Sequence, residues 1–328
     1  MNILITGGAG YVGSHGALAF LDKGHKVTII DNLINGNKKI IPKKSTFLRS
    51  GIDNEKKISK LLKSTNFDVV IHYAALTSVP ESIKSPSKYY KNNYYKSQKF
   101  LNICLKHGLN NFIYSSTAGV YGDKEKKIDE KRLLKPKNPY AKSKLKFENH
   151  LRKISKKTKL NYIILRYFNV GGADNLLRSG LIKSNGNLIK TLCEAATKKR
   201  KKITIFGNNY RTKDGTTIRD YIHVTDLSKM HLIAAKKLVK DENFKSDVFN
   251  CGYGFGFSTK ELVLLMQKIT NTRIDFKYGK KRKGDIEQSI SKVSKFKKKF
   301  KWFPKFSKGR SIKKILRSSY NWERKLKS

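Results

Sequence analysis

The chain has 328 residues, with 72 Lys and Arg against 24 Asp and Glu, a formal charge of +48. That length buries a large core and allows two domains, while no apolar run approaches the roughly 18 residues that a membrane helix needs and the start does not resemble a signal peptide. The three cysteines, Cys104, Cys193 and Cys251, are odd in number and widely spaced, which gives neither a disulfide framework nor zinc-ligand spacing, so a cytoplasmic protein without a metal is expected.

In chain order, MNILITGGAGYVGSH reads as a strand from Asn2 to Thr6, a turn with glycines at Gly7, Gly8, Gly10 and Gly13, and a helix from Tyr11 to Lys23 stopped by Gly24. Glycine turns are common, but one between a strand and a helix lets the backbone approach a pyrophosphate, which the helix N-terminus attracts. The next strand, Lys26 to Ile30, ends in Asp31, about 20 residues past the turn, where a carboxylate accepts hydrogen bonds from an adenosine ribose and repels a ribose phosphate. NAD is therefore expected rather than NADP.

Further strands are predicted at Thr46 to Arg49, Asp68 to His72, Asn111 to Ser115 and Asn161 to Arg166, alternating with helices at Glu55 to Lys63, Ser87 to His107 and Pro139 to Lys157. Alternation with apolar strands indicates an α/β fold around a doubly wound parallel sheet of Rossmann type. The apolar faces of the last two helices serve either core packing or a dimer surface. From about Gly171 the alternation weakens, with an isolated strand at Ile203 to Phe206, before Asp247 to Cys251 returns as a buried strand. The expected organisation is an NAD-binding domain over 1–170 with 220–254 returning to it, and a smaller interleaved substrate-binding lobe from 171–219 and 255–328. Its basic tail from Lys292 is anchored by Phe300, Trp302, Phe303 and Trp322.

Tyr140 and Lys144 stand one turn apart in NPYAKSK, on one helix face. An ammonium beside a phenol, with a positive nicotinamide, is expected to lower the tyrosine pKa from its usual value of about 10 and make it a base. The segment YSSTAGVYG places Ser115, Ser116 and Thr117 at a strand end, where parallel sheets hold their ligands.

GGAGYVGSH, DNLINGN, YAALTSVPESIKSPSKYYKNN, YSSTAGVYG, NPYAKSK, LRYFNVGGA, IFGNNYRTKDGTTIRDYIHVTDL, NCGYGFG and KRKGD together resemble the extended short-chain dehydrogenase/reductases, and within them the UDP-glucose 4-epimerases. The resemblance covers nearly the whole chain, and the DGTTIRDYIHVTDL block is its most specific part. It implies that Tyr140 removes the C4 hydroxyl proton while hydride passes to nicotinamide, that Thr117 holds this hydroxyl, and that Lys144 binds the nicotinamide ribose. The 4-keto sugar then turns over and hydride returns to its other face. Cofactor contacts are implied from Tyr11, Val12, Asp31, Asn32, Asn35, Ala74, Ala75, Asn93, Tyr167 and Phe168. UDP-sugar contacts are implied from Asn169, Asn187, Leu188, Phe206, Arg219, Arg282 and Asp285, and a homodimer from the two apolar-faced helices. In similar epimerases the position of Ser289 borders the sugar C2 substituent, so a small residue there leaves room for an acetamido group.

The chain departs from the family pattern at three places. Gly51 stands where an aspartate usually meets the adenine, with Asp53 nearby; Thr77 replaces a lysine found in some members; and Thr117 replaces the commoner serine. Among rivals, a 4,6-dehydratase needs acidic residues after Thr117, where this chain has Ala118 and Gly119. A decarboxylase on the same scaffold is another. A non-catalytic NAD-binding regulator does not require Thr117, Tyr140 and Lys144. The charge raises binding to nucleic acid or anionic membranes, but the lysines are scattered and no recognition signature accompanies them.

Overall fold

The computed structural model describes residues 1–122, 127–183, 186–282, 285–304 and 308–327. Its first half alternates as follows: β1 Asn2–Thr6, α1 Tyr11–Leu21, β2 Lys26–Asp31, β3 Thr46–Arg49, α2 Glu55–Ser64, β4 Val69–His72, α3 Val79–Lys84, α4 Pro86–Tyr90, a π-helical turn Lys91–Tyr95, α5 Lys96–Lys106, β5 Asn111–Thr117, α6 Pro139–Ser155 and β6 Asn161–Tyr167. The second half carries β7 Asn169–Gly171, α7 Leu188–Ala196, β8 Ile203–Phe206, β9 Ile218–Arg219, β10 Tyr221–His223, α8 Val224–Lys240, β11 Asp247–Cys251, β12 Phe257–Ser258, α9 Thr259–Thr270, β13 Phe276–Gly279, β14 Gln288–Ser289, α10 Ser294–Phe300 and α11 Lys308–Lys327.

Seven strands form one sheet in the order β11-β6-β5-β4-β1-β2-β3. Pairing is parallel from β3 through β2, β1 and β4 to β5. The order reverses between β1 and β4, and it is outside the carboxyl ends of strands at such a reversal that doubly wound folds bind ligands. One sheet face is sealed by Leu4, Val70, Phe112 and Tyr114 against Phe100, Leu101, Phe147 and Leu151, which holds α5 and α6 beside β4 and β5. Asn138 caps α6, accepting from the Ala141 N–H at 2.9 Å, with Pro139 in the first turn. This cap sets where Tyr140 begins its helix.

The chain divides into two compact units: Met1–Val120 with Leu134–Arg166 and Ser228–Phe249, and Tyr121–Leu133 with Tyr167–Leu227 and Asn250–Ser328. In the second, β9 lies between β12 and β14, and β8 pairs β13. Phe300, Trp302 and Trp322 are buried as anchors there, but Phe303 is 69% exposed and is not one. The three cysteines are buried and unpaired. Among the described residues, no helix is long and apolar enough to cross a membrane.

Strand and helix ends differ from expectation by one or two residues at several places, and one helix differs in kind. The helix expected over Ser87 to His107 begins at Pro86 and is interrupted by the π turn, while α1 stops two residues early, at Leu21. A π turn inserts one residue into the helical ladder, often at a functional site, and here it brings Asn93 into the interior.

Candidate active site

Gly7 has φ of +74°, and a Cβ there would lie 2.6 Å from the Ala74 nitrogen; at Gly13 it would lie 2.2 Å from the Gly7 carbonyl oxygen. The turn therefore tolerates no side chain at either place. Gly10 precedes α1 and no side chain caps this helix start, where Tyr11 and Val12 are half-buried. Asp31, at the tip of β2, accepts from the Ala9 N–H at 3.0 Å and the Leu33 N–H at 2.8 Å, and burial raises its carboxyl despite these bonds. An open helix N-terminus over a side-chain-free turn, with a carboxylate fixed at the next strand tip, fits the pyrophosphate and ribose of a dinucleotide. Asn32 and Asn35 lie exposed just beyond.

Ala74 and Ala75 continue from β4 towards Leu76, which Asn93 grips. Asn93 Oδ1 accepts from the Leu76 N–H at 2.8 Å and from Asn92 at 3.0 Å, while its Nδ2 donates to the Leu76 oxygen at 2.9 Å and Ser143 Oγ at 3.2 Å. These four bonds use the whole amide, so Asn93 ties the 74–76 loop to α6 instead of presenting a free side chain. Asp53 lies where its carboxylate oxygen would be 2.7 Å from a Cβ at Gly51, and it pairs with Lys96 at 3.1 Å.

Thr117, Tyr140 and Lys144 meet in the first unit. The Thr117 hydroxyl lies beside the Tyr140 phenol and favours its ionisation, yet burial raises this phenol to about 12, against the expected lowering. Lys144 Nζ donates to the Ser115 carbonyl at 2.8 Å and lies 4.7 Å from the centre of the Tyr114 ring. Burial brings Lys144 down to about 7, partly opposed by Glu148. Protein groups alone thus leave Tyr140 protonated, and a bound cation is needed to reverse that.

The second unit gathers most of the expected UDP-sugar residues. Arg219 donates to Asp285 at 2.5 Å, the Arg282 guanidinium stacks 3.9 Å over the Phe206 ring, and Ser289 is buried and pairs in register with Arg219. Asn169 Nδ2 donates to the Asp220 carbonyl at 3.3 Å, and Asn187, which caps α7 ahead of Leu188, donates to the Val170 carbonyl at 3.2 Å. Phe168 is buried and Tyr167 half-buried beside them. Of the KRKGD block, Lys283 and Gly284 lie outside the described residues.

Two features went unread in the sequence. Asp220 accepts from the Tyr253, Gly254 and Ser291 N–H groups at 2.9, 2.9 and 3.1 Å, which pins β9 next to Arg219; it stands inside the RDYIHV block. Glu148 sits fully buried behind Lys144, and its four-residue spacing from Lys144 was the available signal.

The model of the NAD dependent epimerase/dehydratase family matches residues 3–252. The chain belongs to that family. Within it, the chain is 37% identical to UDP-glucose 4-epimerase of Azospirillum brasilense over 99% of this chain and 92% of the relative. It is similar to the structure of the UDP-Glc/GlcNAc 4-epimerase from Campylobacter jejuni, with TM-score 0.84, 39% identity and 99% of both chains covered. The UDP-glucose 4-epimerase of Bifidobacterium longum, in complex with NAD+ and UDP, matches with TM-score 0.90, 32% identity, 99% of this chain and 98% of the other.

Proposed function

We propose that the chain interconverts UDP-galactose and UDP-glucose by inverting C4 of the hexose, with NAD retained through the cycle. The observation that carries this is the meeting of the Thr117 hydroxyl with the Tyr140 phenol, one turn from a buried Lys144, on a chain so similar to curated epimerases. NAD, when bound, supplies a hydride acceptor that becomes the donor within the same turnover. The first unit takes NAD on Gly7, Gly10, Gly13, Asp31 and the 74–76 loop. The second takes UDP-sugar on Asn187, Phe206, Arg219, Arg282 and Asp285, arginine forks being suited to diphosphate oxygens.

Thr117 orients the C4 hydroxyl and Tyr140 takes its proton. Ammonium at Lys144 and the positive nicotinamide make this transfer favourable by stabilising phenolate. The same phenol returns the proton after the 4-keto sugar has presented its other face. A 4,6-dehydration is disfavoured because Ala118 and Gly119 follow Thr117 and neither can move a proton.

Ser289 extends the substrate range to the N-acetylated pair. It is buried beside Arg219, and the Campylobacter jejuni relative is named for both pairs. We also place the protein in the cytoplasm as a homodimer through α4, α5 and α6. That face displays Tyr95, 56% exposed, with Lys146 4.5 Å from the Tyr94 ring centre and 5.4 Å from that of Tyr95. Incubation of purified protein with UDP-galactose, followed by separation of the nucleotide sugars, tests the reading; UDP-glucose must appear.

A further inference from the structure

Tyr140 and Lys144 share their face of α6 with a third side chain, Glu148, two turns beyond Tyr140. Glu148 is fully buried and Arg166 is 1% exposed. Glu148 Oε1 accepts from Ser116 Oγ at 2.5 Å and Arg166 Nε at 3.0 Å; Oε2 accepts from Arg166 Nη2 at 2.6 Å and Arg152 Nη2 at 3.0 Å. A buried ion pair is weak evidence for stability, since well-packed apolar residues often serve as well. Its position is more informative.

Three consecutive residues at the end of β5 meet α6, two of them through hydrogen bonds. The Ser115 carbonyl accepts from Lys144, Ser116 donates to Glu148, and the Thr117 hydroxyl lies beside the Tyr140 phenol. The middle rung is braced from β6 by Arg166. The titratable groups facing Lys144 are Glu148 and Tyr140 from its own helix, Tyr114 from β5 and His72 from β4, with Arg166 of β6 and Arg152 of α6 behind Glu148. Burial holds His72 neutral, and both tyrosines are protonated at neutral pH. Glu148, ion-paired with Arg166 and Arg152, is the carboxylate of this set.

We propose that Glu148, clamped by Arg166, is a positioning residue of the epimerase: through Ser116 it holds the end of β5 against the face of α6 that carries Tyr140 and Lys144, and it is the carboxylate nearest the Lys144 ammonium on that face. This rests on Tyr140 and Lys144 being the working pair. Burial already pulls Lys144 to about 7 and Glu148 opposes that pull. Removing the carboxylate therefore lowers Lys144 further and moves the alkaline limb of kcat to lower pH.

The test measures kcat and KM from pH 6 to 10 on NAD-loaded protein with UDP-galactose, for wild type, Glu148→Gln, Glu148→Asp and the double variant Glu148→Gln/Arg166→Gln, with circular dichroism of each. Glu148→Gln is expected to lower the apparent alkaline pKa by about one unit, the low end of the effect of a nearby charge, with kcat falling about tenfold above that limb and KM changing little. Glu148→Asp keeps the charge and should keep the wild-type pKa with a lower kcat. If Glu148→Gln does not fold, the double variant, which removes both partners of the Glu148–Arg166 pair and so leaves no unpaired guanidinium at Arg166, provides the same readout. Profiles of Glu148→Gln or the double variant that superimpose on wild type after scaling overturn the proposal. Wild type inactive on UDP-galactose at every pH instead overturns the function on which it rests.

Discussion

Tyr140 carries the chemistry at the scale of one residue, because its phenol lies beside the Thr117 hydroxyl and is the group whose proton must leave. Tyr140→Phe keeps the ring and its packing beside Tyr89, 6.5 Å between ring centres. It should fold and retain NAD while losing about 100- to 10,000-fold in kcat, the usual worth of a positioned acid–base group. Turnover and bound NAD measured on one preparation check this, and near wild-type turnover contradicts it. At Ser289 the question is size. Being buried opposite Arg219, Ser289→Tyr should abolish turnover of UDP-GalNAc by overfilling the space, which typically costs about 1 to 3 kcal/mol or more, and leave UDP-galactose turnover largely intact. Equal losses on both substrates contradict the size filter.

Among the elements, those dictated by local pattern were legible in the sequence: β1, β2, β5 and β6 through apolar runs, the turn at Gly7 to Gly13 through its glycines, and β11 as a returning strand. What was hidden depends on long-range packing. The π turn at Lys91–Tyr95 is set by the Asn93 bonds to Leu76 and Ser143, and the raised Tyr140 phenol by burial that no spacing records. Phe303 looked like an anchor on hydrophobicity alone, yet it faces outward. The glycine turn makes a direct prediction: with a Cβ at Gly13 placed 2.2 Å from the Gly7 oxygen, Gly13→Ala should purify with much less NAD than wild type, measured in the supernatant after denaturation. β4 makes another. His72 is buried between Thr6 Oγ1 at 2.7 Å and Ser97 Oγ at 2.9 Å, and burial brings its pKa to about 3. Between its unfolded value of about 6.5 and this folded value, only the unfolded chain takes up the proton, so stability falls with pH by up to about 1.4 kcal/mol per unit from this group. His72→Gln should show a smaller drop in Tm between pH 7 and pH 5 than wild type; an unchanged drop contradicts this assignment.

For the whole molecule the formal charge of +48 opposes association of two copies, even though α4, α5 and α6 present an aromatic face. Salt screens such repulsion beyond about 8 Å at physiological strength, so sedimentation should show the proposed dimer strengthening as salt rises. A monomer at high salt contradicts it. The same screening separates diffuse charge from a polyanion site, because scattered lysines bind heparin weakly and release it at moderate salt. Asp31 at the tip of β2, locked by the Ala9 and Leu33 N–H groups, leads us to expect NAD and not NADP in the purified protein. All of this serves one catalytic cycle, in which no net redox change occurs and the cofactor returns to its starting state. The decisive measurement adds UDP-galactose to the purified protein with no added reductant or oxidant and follows the nucleotide sugars to equilibrium. Conversion to UDP-glucose at catalytic enzyme concentration is expected, with the cofactor oxidised at the end. Unchanged UDP-galactose, or a deoxygenated or decarboxylated product, would contradict it.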